Sequence, residues 1–333
     1  MLPAPPSRGL APQLPIAAVP VPLPLASGSE DLEAAFARFL RLDVADGDAA
    51  ADTIRGYLGQ LAAWLRWCAA HSTAVGAATP DDVKRYREDL VRQGRKPNTI
   101  AHKLNVLRRV YAAAVAAGLR PDNPVAGIRP PRDKRAVEDF GYLSEVELAL
   151  LFRAVPRDGA LKHRRDRALL GLLSLQALRT VEIMRAGVAD LQRRGEDWAL
   201  LVHGKAHDRL VFLRPDVADA LRDYLTERGH VAADEEGEPL LSAVGNFAGG
   251  HRLSRRGVRH VVDAYLQLAQ LKRPRLSNHA LRHTGATLAY RYTHDLRAVQ
   301  DMLGHQDPKT TARYARVVDR ARTNPALKVP VDL

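Results

Sequence analysis

Apolar side chains recur every three to four positions along the first third of the chain, between residues 30 and 128. This spacing predicts amphipathic helices that bury one face against each other. The run Thr79-Pro80-Asp81-Asp82 adds a strong helix start, because Thr caps a first turn and Pro suits its first position. The pattern therefore predicts a small bundle of four helices, at Asp31–Leu42, Ala51–Ala70, Asp81–Arg92 and Pro97–Ala117.

The apolar pattern changes after Leu143 and predicts a second folded part. Ser144 is a good N-cap residue for its first helix. Two apolar runs on either side of a Gly204-Lys205 turn predict a β-hairpin at Trp198–Leu213. The fold class predicted for the whole chain is therefore mainly α with a small antiparallel β-sheet or hairpin. The other helices are predicted at Arg165–Leu175, Pro215–Glu227, Ser254–Leu271 and within the stretch from His279 to Tyr314.

Composition divides the chain further. Residues 1–29 are rich in Pro and Ala, which predicts a disordered arm. A basic, Pro-containing stretch at 129–141 is typical of a semi-rigid linker, which would let two domains close around a duplex as a clamp. The helical bundle then occupies 30–128 and the second domain 142–323. An apolar tail at 324–333 is a candidate for docking on a neighbouring protomer.

The chain is strongly basic. Its 333 residues include 50 Lys and Arg but 38 Asp and Glu, a formal net charge of +12. This balance favours a polyanionic partner. Cys68 is the only cysteine, which excludes an intrachain disulfide and a zinc site built from cysteines, and indicates a cytoplasmic protein. No apolar run approaches the roughly 20 residues of a membrane helix, so no membrane partner is expected.

Basic side chains are concentrated in two places that suit contact with DNA phosphates. Residues 84–109 hold nine Lys or Arg against two acids, so this half of the bundle is a candidate DNA face. A basic face that is merely solvated is the alternative. The start of the helix predicted at Ser254 is the second place. The candidate DNA-contact residues are Lys84, Arg85, Arg92, Arg95, Lys96, Lys103 and Arg108 in the bundle, and Arg252, Arg255, Arg256 and Arg259 in the second domain.

Six residues of the second domain suit the breaking and remaking of a phosphodiester. A tyrosine can attack phosphorus and later leave again, because its phenolate is a good leaving group. Two arginine forks can hold the non-bridging oxygens, and histidines can add donors. A lysine on a mobile hairpin can protonate the leaving 5′ oxygen. The candidate catalytic residues are Arg179, Lys205, His279, Arg282, His305 and Tyr314, with Tyr314 as the nucleophile.

The order and spacing of these six residues form a motif. His279 and Arg282 are three residues apart, Leu303-Gly304-His305 ends a helix, and Tyr314 follows nine residues later. The set closely resembles the tyrosine recombinase (phage integrase) family, and within it the simple two-domain, Xer-like type. The resemblance implies a SAM-like core-binding domain followed by a catalytic domain. It also implies DNA cleavage and rejoining through a 3′-phosphotyrosyl intermediate, without metal, ATP or other cofactor.

The resemblance also implies partners. The substrate is expected to be double-stranded DNA with specific recombination sites, on which the protein self-associates into a tetramer at the nucleoid. An accessory protein or partner recombinase is left open. Two other functions also stay open: DNA relaxation resembling that of type IB topoisomerases, and a catalytically silent DNA-binding regulator. His279 argues against the first of these, and the intact six-residue set argues against the second.

Four nearby residues compete with two of these assignments. Tyr290 and Tyr292 are alternative nucleophiles, although their position inside a helical run predicts packing instead. His207 and Arg209 are alternatives to the hairpin lysine. Supporting roles are predicted for Glu182, which is expected to hold an arginine side chain, and for His283, which follows Arg282.

Overall fold

The chain forms two compact units, one within residues 1–134 and the other within 135–333. Lys205, the arm before residue 29 and the tail after 319 lie outside the described residues, as does the middle of the predicted linker. Among the helices that are described, none has the length and apolar character needed to cross a membrane. The computed structural model describes residues 29–44, 51–132, 140–204, 207–245 and 249–319.

The first unit is the predicted helical bundle. Its third helix starts with a capping box: the Asp82 backbone N–H donates to the Thr79 hydroxyl, and the Thr79 N–H donates to the Asp82 carboxylate over 2.8 Å. Two donors at the helix start are thereby satisfied reciprocally. The four helices are α1 (Ser29–Leu42), α2 (Ala51–Ala70), α3 (Pro80–Arg92) and α4 (Pro97–Ala116), and each lies within a few residues of its predicted bounds.

Aromatic side chains tie the bundle together. The fully buried Trp64 indole donates to the Tyr111 hydroxyl over 2.9 Å, and that hydroxyl donates to the Val75 carbonyl over 2.9 Å. Trp67 stacks on Trp64 with ring centroids 5.2 Å apart. Because each buried polar tip has a partner, the rings contribute apolar burial without an unsatisfied donor. This cluster joins α2 to α4.

The second unit is mainly helical around a buried helix, α6, which has its apolar residues in one continuous core with α8 and α9. The Ser144 N-cap is present, with its side chain accepting from the Glu147 N–H. The helices are α5 (Glu145–Arg153), α6 (Leu161–Ser174), α7 (Thr180–Arg185), α8 (Pro215–Arg228), α9 (Arg255–Leu268), α10 (Asn278–Thr293), α11 (Leu296–Leu303) and α12 (Pro308–Asp319), and the strands are β1 (Leu191–Arg194), β2 (Asp197–Val202) and β3 (Arg209–Phe212).

The predicted hairpin is present, but it is part of a three-stranded antiparallel sheet with order β1-β2-β3. Leu200 of β2 pairs with Leu191 on one side and with Val211 on the other. The extra strand β1 has the sequence Leu-Gln-Arg-Arg and carries no alternation of apolar and polar residues, so the apolar pattern could not predict it. The fold class, mainly α with a small antiparallel sheet, is confirmed.

Gly285 sets how closely α10 approaches the end of α6. A Cβ atom at this position would lie 2.4 Å from the Ser174 carbonyl oxygen and 3.1 Å from the Ala177 side chain. Only glycine leaves room for this contact between backbones. The close approach brings the first half of α10 against the loop that follows α6, where the predicted site residues are found.

Candidate active site

Arg282 is the buried centre of the site, on α10 with 2% of its surface exposed. Its guanidinium donates to the Ala177 carbonyl, to the Leu303 carbonyl over 2.7 Å and to His305 Nε2 over 3.2 Å. Because arginine has no acceptor, His305 Nε2 must be unprotonated, which leaves Nδ1 as the donor to the Thr311 hydroxyl over 2.9 Å. Arg282 therefore fixes the position and the tautomer of His305.

Glu182 holds the other arginines of the site. Its carboxylate accepts from Arg179 Nη1 over 2.8 Å and from both terminal nitrogens of Arg209, over 2.8 and 3.1 Å, and it lies 3.9 Å from Arg282 Nη1. Burial alone would raise the pKa of Glu182, but these hydrogen bonds and the positive charges hold it below its ordinary value. The prediction that Glu182 holds an arginine side chain is confirmed.

These side chains surround a cavity of about 1080 Å³. Five of the six predicted catalytic residues line it: Arg179, His279, Arg282, His305 and Tyr314. The sixth, Lys205, lies outside the described residues, and its assignment stays a prediction. Its neighbours Gly204 and His207 line the cavity, so the β2–β3 turn opens onto this space.

Tyr314 is the only tyrosine among the described residues that line this cavity. It lies on α12, is 1% exposed, and its hydroxyl is 2.8 Å from His283 Nδ1. Burial raises the pKa of Tyr314, while the charges of Arg282, Arg313 and Arg179 lower it, and burial dominates. In this structure the phenol is therefore protonated and shielded.

The two competing tyrosines lie elsewhere. Tyr290 is 8% exposed and donates its hydroxyl to the Asp319 carboxylate over 2.7 Å. Tyr292 is 69% exposed on the outer side of α10. Neither side chain lines the cavity. The packing role predicted for Tyr290 agrees with its burial, whereas the packing role predicted for Tyr292 is wrong, because its side chain is exposed.

Three imidazoles that line the cavity, those of His279, His283 and His305, are held neutral. Burial and the neighbouring arginines lower the pKa of His305 to about 4. His279 is exposed to the cavity, yet partial desolvation and the charges of Arg282, Arg313 and Arg179 also lower its pKa. The permanent positive charge of the site therefore resides on guanidinium groups. Such a field favours a phosphodiester anion, with neutral imidazoles available as hydrogen-bonding groups.

Arg313 was not predicted from the sequence. Its guanidinium carbon lies 4.2 Å from the ring centroid of Phe140, and its buried Nε has no hydrogen-bond partner among the described residues. Arg313 lines the cavity, and its charge acts on Tyr314 and on the three nearby imidazoles. Its position one residue before Tyr314 was the available signal, but only the packing on Phe140 shows that it faces this site.

The predicted DNA face of the bundle contains charges that are paired within the unit and charges that are exposed. Arg95 and Lys96, in the turn between α3 and α4, are exposed. The other five are engaged within the unit, so a DNA contact would have to share or replace these interactions. They are Lys84 with Asp81, Arg85 with Asp82, Arg92 with Asp89, Lys103 with Gln60 and Arg108 with the Ile128 carbonyl.

In the second unit, the contacts of Arg252 contradict the prediction that it binds DNA. Its guanidinium donates to the Asp234 carboxylate and to backbone carbonyls that include those of Ala186, over 2.8 Å, and Gly237, over 2.9 Å. All five of its N–H groups are used inside the protein, so Arg252 anchors the fold instead of facing DNA. Arg255, Arg256 and Arg259 are exposed at the start of α9 and stay candidates.

The chain thus combines a helical bundle with a second helical unit in which arginines and a tyrosine line one cavity. The sequence matches the model of the Phage integrase family over residues 142–320 and that of the Phage integrase N-terminal SAM-like domain over residues 36–118. The first match covers more than half of the chain. The protein therefore belongs to the phage integrase family of tyrosine recombinases.

Individual relatives agree with this family. The chain is 29% identical over 296 residues to tyrosine recombinase XerD of Rhizobium meliloti, covering 87% of this chain and 93% of that protein. Its fold is similar to that of XerH site-specific recombinase bound to difH substrate, with TM-score 0.65, 19% identity and coverage of 90% and 85%. It is also similar to a lambda integrase tetramer bound to a Holliday junction, with TM-score 0.62, 14% identity and coverage of 86% and 76%.

Proposed function

We propose that this enzyme is a site-specific recombinase that cuts and rejoins duplex DNA, with Tyr314 as the nucleophile. The observation that carries the proposal is the cavity around Arg282, which Tyr314 lines together with Arg179, His279 and His305. Arg179, Arg282 and His279 supply donors for phosphate oxygens, His305 supports Arg282, and Tyr314 supplies the attacking group. The family membership points to the same reaction.

In the proposed reaction the scissile phosphate enters the cavity. Arg179 and the free N–H groups of Arg282 bind its non-bridging oxygens, and His279 adds a hydrogen bond. His305, whose two ring nitrogens are engaged by Arg282 and Thr311, holds the Arg282 guanidinium in place. The Tyr314 oxygen attacks phosphorus and forms a 3′-phosphotyrosyl bond as the bond to the 5′ oxygen breaks. Lys205 gives that oxygen its proton. Rejoining runs the same steps backwards, so the energy of the phosphodiester is conserved.

The two alternative functions fit less well. A silent DNA-binding regulator has no need for a complete guanidinium and imidazole cavity around a tyrosine. Relaxation by a type IB topoisomerase uses related chemistry, but both segments of this chain match models of the integrase family. We therefore favour strand exchange over relaxation.

The partners belong to the same proposal. The substrate is double-stranded DNA with a specific recombination site, and paired sites are brought together by four copies of this chain at the nucleoid of the cytoplasm. A lambda integrase of similar fold assembles as a tetramer on a Holliday junction, which supports a tetramer here. An accessory protein or a second recombinase is an optional addition. The exposed arginines of α9 and the turn at Arg95 and Lys96 are the proposed phosphate contacts.

The decisive test is capture of the covalent intermediate. The protein is incubated with fragmented DNA from its own genome, adducts are trapped with denaturant, and the attached DNA is sequenced. A nicked duplex of the recovered sequence then serves as a suicide substrate. Tyr314→Phe should bind this duplex normally but form no adduct, because the attacking oxygen is missing. Tyr292→Phe is the matched control, since this tyrosine is 69% exposed and outside the cavity. Undiminished adduct with Tyr314→Phe would contradict the assignment.

A further inference from the structure

His283 is a buried imidazole that contacts the proposed nucleophile directly. It lies on α10 with 9% of its surface exposed, and its Nδ1 is 2.8 Å from the Tyr314 hydroxyl. Its ring packs against Phe140 and against His279, with centroids 4.7 Å away in each case. This hydrogen bond joins two residues 31 positions apart in the chain. The side chain lines the cavity, as Tyr314 does, so both groups border the space proposed for DNA.

His279 and His305 have different contacts from those of His283. His305 has both ring nitrogens engaged, Nε2 by Arg282 and Nδ1 by Thr311. His279 is exposed to the cavity, and its ring contact is with His283. Of the five imidazoles that line the cavity, His283 is the one whose nitrogen is in hydrogen-bond contact with the Tyr314 oxygen. Geometry of this kind is the first requirement for a general base.

We propose that His283 is the general base that takes the proton of Tyr314 when the tyrosine attacks DNA. This rests on the proposed role of Tyr314 as nucleophile. The neutral ring carries its proton on Nε2, and Nδ1 accepts the hydrogen bond from the phenol. As the bond from the Tyr314 oxygen to phosphorus forms, the phenolic proton moves to Nδ1 and gives an imidazolium. The bond from phosphorus to the 5′ oxygen breaks in the same reaction, and the general acid protonates that oxygen. On rejoining, His283 returns the proton to the departing phenolate.

The surroundings of His283 keep its ring unprotonated before DNA binds, as a general base requires. Burial first, and then nearby positive charges, lower the pKa of His283 to about 3, so the ring is neutral at physiological pH and can accept a proton. A phosphodiester bound in the cavity adds a negative charge that counteracts those positive charges, and this raises the proton affinity of the ring. The groups that act on His283 are His279 and Arg282 on its own helix, Tyr314 and Arg313 on α12, and His305 after α11.

The proposal separates a base from a residue that only positions Tyr314. His283→Phe removes the acceptor. His283→Asn keeps a polar group near the Nδ1 position that can accept the phenolic hydrogen bond, but it cannot take the proton. His230→Asn is the matched control, because its side chain is 97% exposed and far along the chain from the site residues. Thermal melting and DNA binding by full-length protein establish that each variant is folded.

The measurement is the rate of adduct formation on the recovered nicked duplex between pH 6 and pH 9. Both His283 variants should be slower by about 10²–10⁴-fold at pH 7, the range for a lost general base. Their rates should rise up to about tenfold per pH unit, because the phenol must now ionise without help. A substrate with a bridging 5′ sulfur should not restore them, since a thiolate leaving group replaces a general acid and not a base. DNA binding should stay within about twofold of wild type.

Three results would overturn the proposal. Wild-type rates in His283→Asn would make the residue a positioning group only. An unchanged pH dependence in both slow variants would point to the same conclusion. Restoration by the sulfur substrate would place His283 on the leaving-group side of the reaction. Failure of the proposed function is distinguishable from all three, because Tyr314→Phe would then still form an adduct.

Discussion

Glu182 shows, at the scale of a single residue, how the site concentrates positive charge without unfolding. Its carboxylate lies between Arg179 and Arg209 and within 3.9 Å of Arg282. Buried guanidiniums repel each other and are costly to desolvate, and one shared carboxylate offsets both effects. Arg179 nevertheless keeps part of its side chain exposed to the cavity, so it can still meet a phosphate.

The first prediction concerns this carboxylate. Glu182→Gln preserves the shape but leaves the arginines without their counter-charge, so the free energy of unfolding should fall by about 3 kcal/mol at pH 7. The folded-state pKa of Glu182 is lowered, so its stabilisation is present above the unfolded value of about 4.3 and is lost as pH falls through the folded value. Urea unfolding from pH 3 to pH 8 should show a gap between wild type and variant that closes below about pH 4.

The control for this measurement is Glu196→Gln in the exposed β1–β2 turn, which should change the unfolding free energy little at any of these pH values. Equal stability of wild type and Glu182→Gln at pH 7 would mean that the carboxylate is not needed to hold the arginines. A gap that widens in acid would contradict the sign derived from its lowered pKa.

At the scale of elements, α10 carries His279, Arg282 and His283 within one and a half turns. Its position depends on the glycine contact with α6, because the Ala177 carbonyl that follows α6 is also the acceptor for Arg282. The crossing of the two helices and the orientation of the central guanidinium are therefore coupled. A small displacement of α10 would move all three side chains relative to α12 and Tyr314.

The second prediction tests that coupling. Gly285→Ala would bring a methyl group to 2.4 Å from the Ser174 carbonyl oxygen, so the helices must separate. Such overpacking costs about 1–3 kcal/mol, which chemical denaturation would measure. Adduct formation should also fall, because the Arg282 anchor moves. Gly59→Ala in α2 is the control: no atom lies within 4 Å of its added methyl, and it should stabilise its helix by about 0.5–1 kcal/mol. Unchanged stability in Gly285→Ala would remove the packing argument.

The elements also show what the apolar pattern can predict. The bundle helices were predicted well because each buries a regular apolar face, and because α3 and α4 also begin at Pro. The helix predicted to reach Leu271 ends at Leu268 instead, since Gln270 adopts a positive φ of 58°. The short helix α7 and the polar strand β1 have no apolar period of their own. Both are held in place by tertiary contacts, which no local pattern contains.

The site likewise contains residues that the sequence could predict and contacts that it could not. Arg179, His279, Arg282, His305 and Tyr314 could be predicted to belong together because their order forms a motif, and they do line one cavity. The contact of His283 with Tyr314 and the packing of Arg313 on Phe140 join segments far apart in sequence. The hydrogen bonds from Arg252 to four backbone carbonyls could not be predicted from the sequence either. Charge alone predicted it to contact DNA, whereas its hydrogen bonds hold it within the fold.

At the scale of the whole molecule, the excess of +12 charges is not uniformly available to DNA. Lys84, Arg85 and Arg92 are each paired with an acid three residues earlier on α3. Arg95 and Lys96 are exposed in the turn that follows, so they should contribute most per residue to phosphate contact. The binding strength should therefore depend on a few side chains and not on the net charge.

The last prediction tests whether DNA binding depends on these two exposed side chains or on the net charge of the protein. Replacing Arg95 and Lys96 by Glu should weaken binding to the recovered recombination site, because two phosphate contacts are lost. The slope of log K against log salt should become less negative by about 2, close to one unit per contact. The matched control is Arg38→Glu with Arg41→Glu on α1, which makes the same change in net charge at exposed positions outside the predicted face. Titration at 50–300 mM salt measures both. Equal slopes for the two double variants would show that net charge governs binding, and that the turn between α3 and α4 is only a solvated basic surface.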